Sequence, residues 1–429
     1  MPFSSFTVLG EADFHGRRRS VGMYEADRLA HMWILGKTGS GKSTLLKNLI
    51  RSDLSAKRGL MLIDPHGDLV ESVLDLVPED RVDETIYFNP ADSAYALGFN
   101  PLDSGMGLLP SLRASGLIAT LRKTWPQFWG PRMEYVLRTS LLTLLSVQGA
   151  TLLDLHRLLV DDAFRERIVA GLTDSQLLQF WRQEFKAYTR SFRSEMVSPI
   201  LNKSGQFLTT PTLRHTLGQR QNSFSLRHLM DSGGIFLANL AKGRIGEDVT
   251  ALLGSLLVSQ LELVTLTRGD IPEADRRPFF LYVDEAQTVA TEAMLDLFPE
   301  ARKFGLGIIL AHQYLDQLDE SIESAIVGNV GSVVAFRLGA RDATRLAKEF
   351  MPEAAELDLV ALPAYEAYVK IMVERTTSRT FTVQTRPAPR ASVSFRDRII
   401  DQSRQRYARR VEDVERELAK PWVWSESAG

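Results

Sequence analysis

Residues 31–50, HMWILGKTGSGKSTLLKNLI, run from an apolar stretch through a glycine-rich one into a leucine-rich one. Gly36, Gly41, Lys42 and Ser43 fit the spacing G-x-x-x-x-G-K-[ST], in which backbone N–H groups wrap a phosphate chain that the following helix N-terminus also attracts. His31 to Leu35 read as a short buried strand. Thr44 to Ile50 open a helix with Leu45, Leu46 and Leu49 on one face, so the strand, loop and helix that a phosphate loop requires are all present. Glycine lets the backbone approach phosphates without a Cβ in the way. Gly36, Lys37, Thr38, Gly39, Ser40, Gly41, Lys42, Ser43 and Thr44 are therefore the expected nucleotide-binding stretch. Lys42 is expected to reach the β and γ phosphates of ATP, and Ser43 to hold Mg²⁺.

Working outward, 429 residues can bury one large core or two ordinary ones. Hydrophobic residues at 44% and charged residues at 24% are globular values and argue against disorder. The absence of cysteine excludes disulfides and Cys-ligated zinc or iron–sulfur sites, and the seven histidines lack ligand spacing. The N-terminal MPFSSFTVLGEADF has no basic segment followed by an apolar one, so it does not resemble a signal peptide. Uncharged runs such as Ser140 to Leu153 carry Ser, Thr, Gln and Gly and fall short of a membrane span of about 18 apolar residues. A soluble, cytoplasmic protein is the expectation. The net charge of −2 hides an asymmetry, because Ser111 to Met230 hold 16 Lys or Arg against 8 Asp or Glu. That surplus fits either a solvated helical surface or nucleic-acid contact.

Short β-rich runs recur between helical stretches at 59–64, 85–88, 235–239, 279–285, 307–311, 332–336 and 367–373. Continuous apolar strands separated by helices predict an α/β fold with a mainly parallel sheet covered on both faces. Between Asp103 and about Met230 the alternation stops, and Leu117–Leu121, Tyr135–Leu145, Leu152–Leu159 and Leu177–Phe185 carry helical spacing. The parse is one ATPase domain in two parts, 1–102 and 231–390, interrupted by a basic all-α insert at 103–230. A C-terminal amphipathic segment follows at 391–429, where Ile400, Tyr407, Val411, Val414 and Leu418 predict one helix packed on its own domain or a neighbour.

The other half of the active site is expected at Phe279 to Glu285. Five apolar residues lead straight into Asp284 and Glu285. In a phosphate-loop enzyme a carboxylate at such a strand end serves the Mg²⁺ shell, and an adjacent glutamate can polarise the attacking water. Gln313, just past the strand in GIILAHQY, can sense the γ-phosphate or orient water, or simply lie on the surface. Arg302 and Lys303, in EARKFGLG, can supply a cation to a neighbouring subunit's γ-phosphate or sit as favourable charge at a helix end.

Taken in order, ILGKTGSGKST, MLIDPHGDL, IYFNP, NKSGQFLTTPTLR, IFLANLAKGRIGED, LYVDEAQ, ARKFGLGIILAHQ and FRLGARDATRLAKEF resemble the motor domain of the HerA/FtsK class. They are more closely similar to the type IV secretion coupling proteins and related conjugative DNA-transfer ATPases. The resemblance spans about residues 20–385. It implies a RecA-like P-loop motor, a hexameric ring hydrolysing ATP at subunit interfaces, DNA moving through a central channel, and an all-α domain inserted in the motor. It makes Lys42 and Ser43 the nucleotide and Mg²⁺ ligands and Asp284 with Glu285 the Mg²⁺ and water-activating pair. Gln313 becomes the γ-phosphate sensor and Arg302 the finger in trans, with Arg341 and Arg345 as rivals. Asp64 and His66 of DPHGD match a family motif without a chemical role assigned.

About 30 residues precede the phosphate loop, so the expectation is a motor without the family's membrane domain that either works in the cytoplasm or is recruited to the inner membrane by a secretion-complex partner. A relaxase or a nuclease are further expected partners. Trp125, Phe128, Trp129, Phe180, Trp181, Tyr188 and Phe192 in the insert can either stack on a DNA strand or pack between helices. The rival functions are a motor for a protein substrate and a regulatory ATP-binding switch.

Overall fold

Runs of Val, Ile, Leu and Phe without alternation bury both faces of a strand, and they do so here. The computed structural model describes residues 6–14, 16–103, 107–290, 298–315 and 320–420. Its strands are β1 (Phe6–Phe14), β2 (Arg17–Tyr24), β3 (Met32–Leu35), β4 (Gly59–Asp64), β5 (Thr85–Phe88), β6 (Tyr95–Leu97), β7 (Ile235–Asn239), β8 (Phe279–Val283), β9 (Leu306–His312), β10 (Ser332–Ala335), β11 (Glu366–Lys370), β12 (Met372–Val373), β13 (Thr376–Thr377), β14 (Phe381–Thr385) and β15 (Ala408–Arg410). The main sheet has the order β2-β1-β14-β11-β10-β3-β9-β8-β4-β7-β5. Neighbours from β10 to β5 are parallel, with Trp33 opposite Leu310 and Val333, and Leu62 opposite Leu237 and Tyr282. The expected α/β fold with a mainly parallel sheet is the one adopted.

From β10 back to β2 every neighbouring pair is antiparallel. The sequence reading assigned no strand to β1, β2 or β14. The reason is visible in β2, whose first four residues, Arg17 to Ser20, are exposed and give no apolar run to read. Where β1 crosses β14, a Cβ on Gly10 would lie 2.3 Å from the Gln384 carbonyl oxygen, so only glycine allows the pairing. The run at 367–373 is two strands and not one, because Ile371 leaves the ladder and donates its N–H to Ser378 Oγ.

The chain divides into two compact units. The first, Met1–Phe88 with Leu226–Gln402, contains the whole main sheet. Leu45, Leu46, Leu49, Ile50 and Leu54 of the Lys42–Ser55 helix pack on Met32, Ile34, Leu60, Leu62, Ile309 and Val334. The Glu247–Thr267 helix is long and apolar enough to cross a membrane, but 83% of its most apolar stretch is buried in the unit, as in a core helix.

The second unit, Asn89–Ser225 with Ser403–Gly429, carries the helices Pro110–Thr124, Pro131–Leu145, Leu153–Val160, Asp162–Ala170, Arg190–Thr209 and Pro211–Leu217. It starts before Asp103 and takes in the C-terminus because β6 pairs antiparallel with β15. The single C-terminal helix expected from the heptad-like rhythm is instead two, Arg396–Tyr407 and Val411–Leu418, separated by β15. The second of them lies on Pro211–Leu217, where Glu415 accepts from Arg214 and His215. Among the aromatics of this unit, Trp125, Phe180 and Trp181 are buried, and Trp181 donates to Thr143 Oγ1. Trp129, Tyr188 and Phe192 are half-buried, and the side chain of Phe128 lies outside the described residues.

Candidate active site

In an open parallel sheet, ligands bind beyond the carboxyl ends of the strands, where helix N-termini converge. β3 runs into the loop from Gly36 to Gly41, β4 ends at Asp64, and β8 leads to Asp284 and Glu285 while β9 leads to Gln313. Together they line a cleft of about 380 Å³ with Thr38, Gly39, Gly41, Lys42 and Ser43. Gly36, Gly39 and Gly41 have φ of 157°, 74° and 127°. A Cβ on Gly41 would meet the Phe336 ring at 2.9 Å, so the loop conformation depends on glycine there.

Lys42 is buried, and its Nζ donates to the carbonyls of Gly36 at 2.5 Å and Lys37 at 3.4 Å. Burial lowers its pKa, against the pull of Asp284 and Glu285. Asp284 is the reverse case. Burial, then the charges of Asp64 and Glu285, push its carboxyl up to about 7, and Lys42 only partly offsets them. A carboxyl perturbed this far in a cleft marks a site where charge is left uncompensated.

Glu285 has left-handed backbone, φ 48° and ψ 52°, a strained conformation for a residue with a side chain. Its carboxylate accepts from the side-chain amides of Gln313 and Gln287, one on each oxygen. Gln313 in turn accepts from Thr38 Oγ1 at 2.8 Å, which links the phosphate loop to Glu285 through one side chain. His66 Nε2 stands 4.0 Å from Glu285 Oε1.

Asp64 acquires a definite role. One carboxylate oxygen accepts from the His66 N–H at 2.8 Å, and the other from Leu69 and Val70 N–H at 2.8 and 3.1 Å. It caps the Asp68–Leu74 helix from the end of the strand before it.

The structure thus brings Lys42, Ser43, Asp284, Glu285 and Gln313 to one cleft but leaves Arg302 elsewhere. Arg302 precedes β9, whereas Gln313 follows it, so a seven-residue strand spanning roughly 23 Å separates them. Arg302 cannot serve the site of its own chain. Arg341 and Arg345 lie on the Ala340–Phe350 helix, which follows β10 at the cleft end of the sheet, and Arg345 pairs with Glu323. Sequence reasoning missed Gln287, which the string DEAQ could have flagged, and Tyr365, for which no local signal exists. Tyr365 lines the cleft from 320 residues beyond the loop, as its N–H donates to the Ser40 carbonyl at 2.7 Å.

Residues 19–356 match the family described as the type IV secretion-system coupling protein DNA-binding domain. Among solved structures the chain is similar to the unbound bacterial conjugative coupling protein TrwBdeltaN70, with 16% identity, a TM-score of 0.62, and coverage of 89% of this chain and 90% of that one. It is likewise similar to plasmid coupling protein TrwB in complex with ADP and Mg²⁺, with 16% identity, a TM-score of 0.60 and the same coverage. VirB4 of Thermoanaerobacter pseudethanolicus gives 15% identity and a TM-score of 0.64 over 91% of this chain and 98% of that one. At such identities the likeness is one of fold. No curated protein matches the chain.

Proposed function

The chain belongs to the family of the type IV secretion-system coupling protein DNA-binding domain, and from that membership we propose that it is a Mg²⁺-ATP-hydrolysing motor that forms a homo-hexameric ring and drives DNA through its channel. The observation that carries this reading is the convergence of Lys42, Asp284, Glu285 and Gln313 on one cleft. A nucleotide-binding switch needs the lysine, but has no use for a strained glutamate whose two oxygens are each held by an amide.

The residues fit Mg²⁺. Asp284 holds a carboxyl whose charge the protein does not compensate, and the Ser43 hydroxyl lines the same cleft. Among the described residues no group of three or more His, Asp or Glu is placed to hold an ion alone. That suits an ion arriving with the phosphates and taken by one carboxylate and one hydroxyl. When bound, Mg²⁺ draws charge from the transferring phosphoryl group.

Lys42 turns from the Gly36 and Lys37 carbonyls to the β and γ phosphates, while the loop N–H groups and the first turn of the Lys42–Ser55 helix hold the chain of phosphates. Glu285 takes the proton of a water as that water attacks the γ phosphorus, and the bond to the ADP oxygen breaks. Gln313, bridging Thr38 and Glu285, couples occupancy of the loop to the position of the base. Arg302 supplies its guanidinium to the site of the next subunit, stabilising transition-state charge. The surplus of basic over acidic residues in the helical unit supports phosphate contact without base reading.

The test is steady-state ATP hydrolysis with and without single- and double-stranded DNA at two salt concentrations, on a preparation of measured mass. Stimulation that fades with salt in a hexamer is expected, because each neutralised phosphate releases counterions. A hexamer whose hydrolysis ignores DNA at both salts would favour a protein substrate instead.

A further inference from the structure

His31 stands immediately before β3, with its side chain buried and its backbone held in the left-handed region at φ 67°. Such a backbone is strained for a residue with a Cβ and persists only where its surroundings over-determine it. Here both ring nitrogens are engaged. Nδ1 accepts from the Ile308 N–H of β9 at 3.1 Å, which leaves the proton on Nε2, and Nε2 donates to the Phe298 carbonyl at 2.9 Å. The Phe298 ring lies T-shaped to the imidazole, with centroids 5.2 Å apart. Burial and the charge of Arg302, against the pull of the Phe298 carbonyl, push the His31 pKa down to about 4. The ring is therefore neutral near pH 7 and keeps this pattern.

The carbonyl that His31 holds belongs to the turn that bears Arg302. Residues 298–301 are helical, and Arg302–Phe304 continue as a tighter turn up to Gly305, whose φ of 74° ends it. A helix end leaves carbonyls unpaired, and cationic or imidazole side chains can take them. Beyond Arg302 they are held from residues 268–279: Arg276 donates to Lys303, Arg268 to Phe304 at 2.7 Å, and the Phe279 N–H to Gly305 at 2.8 Å. Before Arg302 the hold comes from His31. The Arg302 side chain is half-buried, yet its guanidinium has no hydrogen bond or ion pair among the described residues. A guanidinium left without an acid on a turn pinned at both sides is prepared for a group outside its own chain.

We propose that His31 is a positioning residue for the cation that Arg302 gives to the neighbouring subunit: its bond to Phe298 sets the turn and, through the turn, the place of the guanidinium. The inference rests on the reading of Arg302 as a finger in trans and adds what holds that finger. The second bond, to Ile308, and the position just before β3 join the turn to the strand whose other end is the phosphate loop. The arginine offered to one cleft is thereby braced by the strand that serves another. A displacement of about 1 Å in such a group costs on the order of 100-fold in rate, so a single bond that fixes the turn is read in kcat.

The experiment is steady-state ATP hydrolysis, with Mg²⁺ and DNA, by His31→Asn and His31→Gln alone and in rings mixed with Lys42→Ala or Arg302→Ala subunits. Asparagine tolerates left-handed backbone and can still accept from Ile308 but is too short to reach Phe298, whereas glutamine brings an amide donor to it. His31→Asn is expected to lose about 10- to 100-fold in kcat with the KM for ATP within about twofold of wild type, and His31→Gln to recover most of that loss. Lys42→Ala subunits have a dead cleft but a sound Arg302, so mixing them in should restore the His31→Asn clefts. Arg302→Ala subunits have no arginine to lend and should restore nothing. A His31→Asn loss restored by neither mixture, or matched by a rise in KM, would overturn the proposal and leave His31 as a prop of its own fold, as would hydrolysis at the wild-type rate. If His31→Asn forms no rings, Phe298→Leu, which strips the ring packed on the imidazole, replaces it in the same mixtures, with the same expected recovery and the same contrary result. Arg302→Ala mixed with Lys42→Ala separates the two readings: no recovery there would overturn the finger in trans and this inference with it, while Lys42-dependent hydrolysis by wild type would leave the ATPase reading standing.

Discussion

The Lys42–Ser55 helix carries buried charge at each end, and the two ends are balanced differently. Near its C-terminus Asp53 is wholly buried between two arginines. Arg28 donates to both Asp53 oxygens at 2.5 and 2.9 Å, Arg58 to one of them at 2.8 Å, and the Tyr282 hydroxyl donates as well. These partners overcome burial, and the Asp53 pKa falls. At the N-terminus the ratio inverts, with Lys42 facing Asp284, Glu285 and, through Asp284, the charge of Asp64. There the Asp284 pKa rises. Both carboxylates are buried, Asp53 in the helix and Asp284 just past the end of β8. The first belongs to a closed network that only supports the fold, whereas the second is left short of positive charge, the condition on which the proposed Mg²⁺ site rests.

One substitution type breaks this comparison if the account is wrong. Asp53→Asn strands two buried guanidinium groups and is expected to cost on the order of 3–5 kcal/mol in urea unfolding at pH 7. Asp284→Asn should act in the opposite direction in the absence of Mg²⁺ and nucleotide. The folded pKa of about 7 lies above the ordinary 3.8, so the native state is favoured by protonation and loses stability as pH rises from about 4 through 7. The neutral variant removes that loss. Its gain should reach at most about 4 kcal/mol above pH 7 and fall to less than half of that at pH 5, at 1.36 kcal/mol per unit. A gain that did not shrink on acidification would show that repacking, not charge, was responsible. Asp64→Ala sharpens the contrast from the side of a satisfied carboxylate. Losing a helix cap should cost about 1 kcal/mol, the smallest of the three effects, again read by urea unfolding.

How much of this was legible in the sequence depended on what each segment buries. β4, β7 and β8 are buried on both faces along their whole length, so their apolar runs and bounds could be read almost residue by residue. Asp284 and Glu285 were read from the end of the β8 run, whereas Gln313, past β9, took its expected role from the family resemblance. β2 could not be read, because this edge strand opens on three exposed arginines, and β14, though inside the sheet, alternates exposed and buried residues over only five positions and so offers no apolar run either. The C-terminal rhythm of Ile400, Tyr407, Val411, Val414 and Leu418 suggested one helix. β15 interrupts it because backbone pairing with β6, made across 300 residues, outweighs local periodicity. The strain at Glu285 and Tyr365 and the Gln313 bridge to Thr38 are tertiary facts with no local trace. Arg302 was legible as a cation near a helix end, but its distance from its own cleft emerges only from the strand between.

The most direct measurement is ATP binding and single-turnover hydrolysis of Glu285→Gln beside wild type and Lys42→Ala, with Mg²⁺ and DNA present. If the uncompensated carboxylates are the hydrolytic centre, Glu285→Gln keeps ATP affinity near that of wild type and hydrolyses at least about 100-fold more slowly, as loss of a general base does. Lys42→Ala loses binding as well. Glu285→Gln hydrolysing at the wild-type rate would contradict the account and leave the cleft as a nucleotide-binding switch.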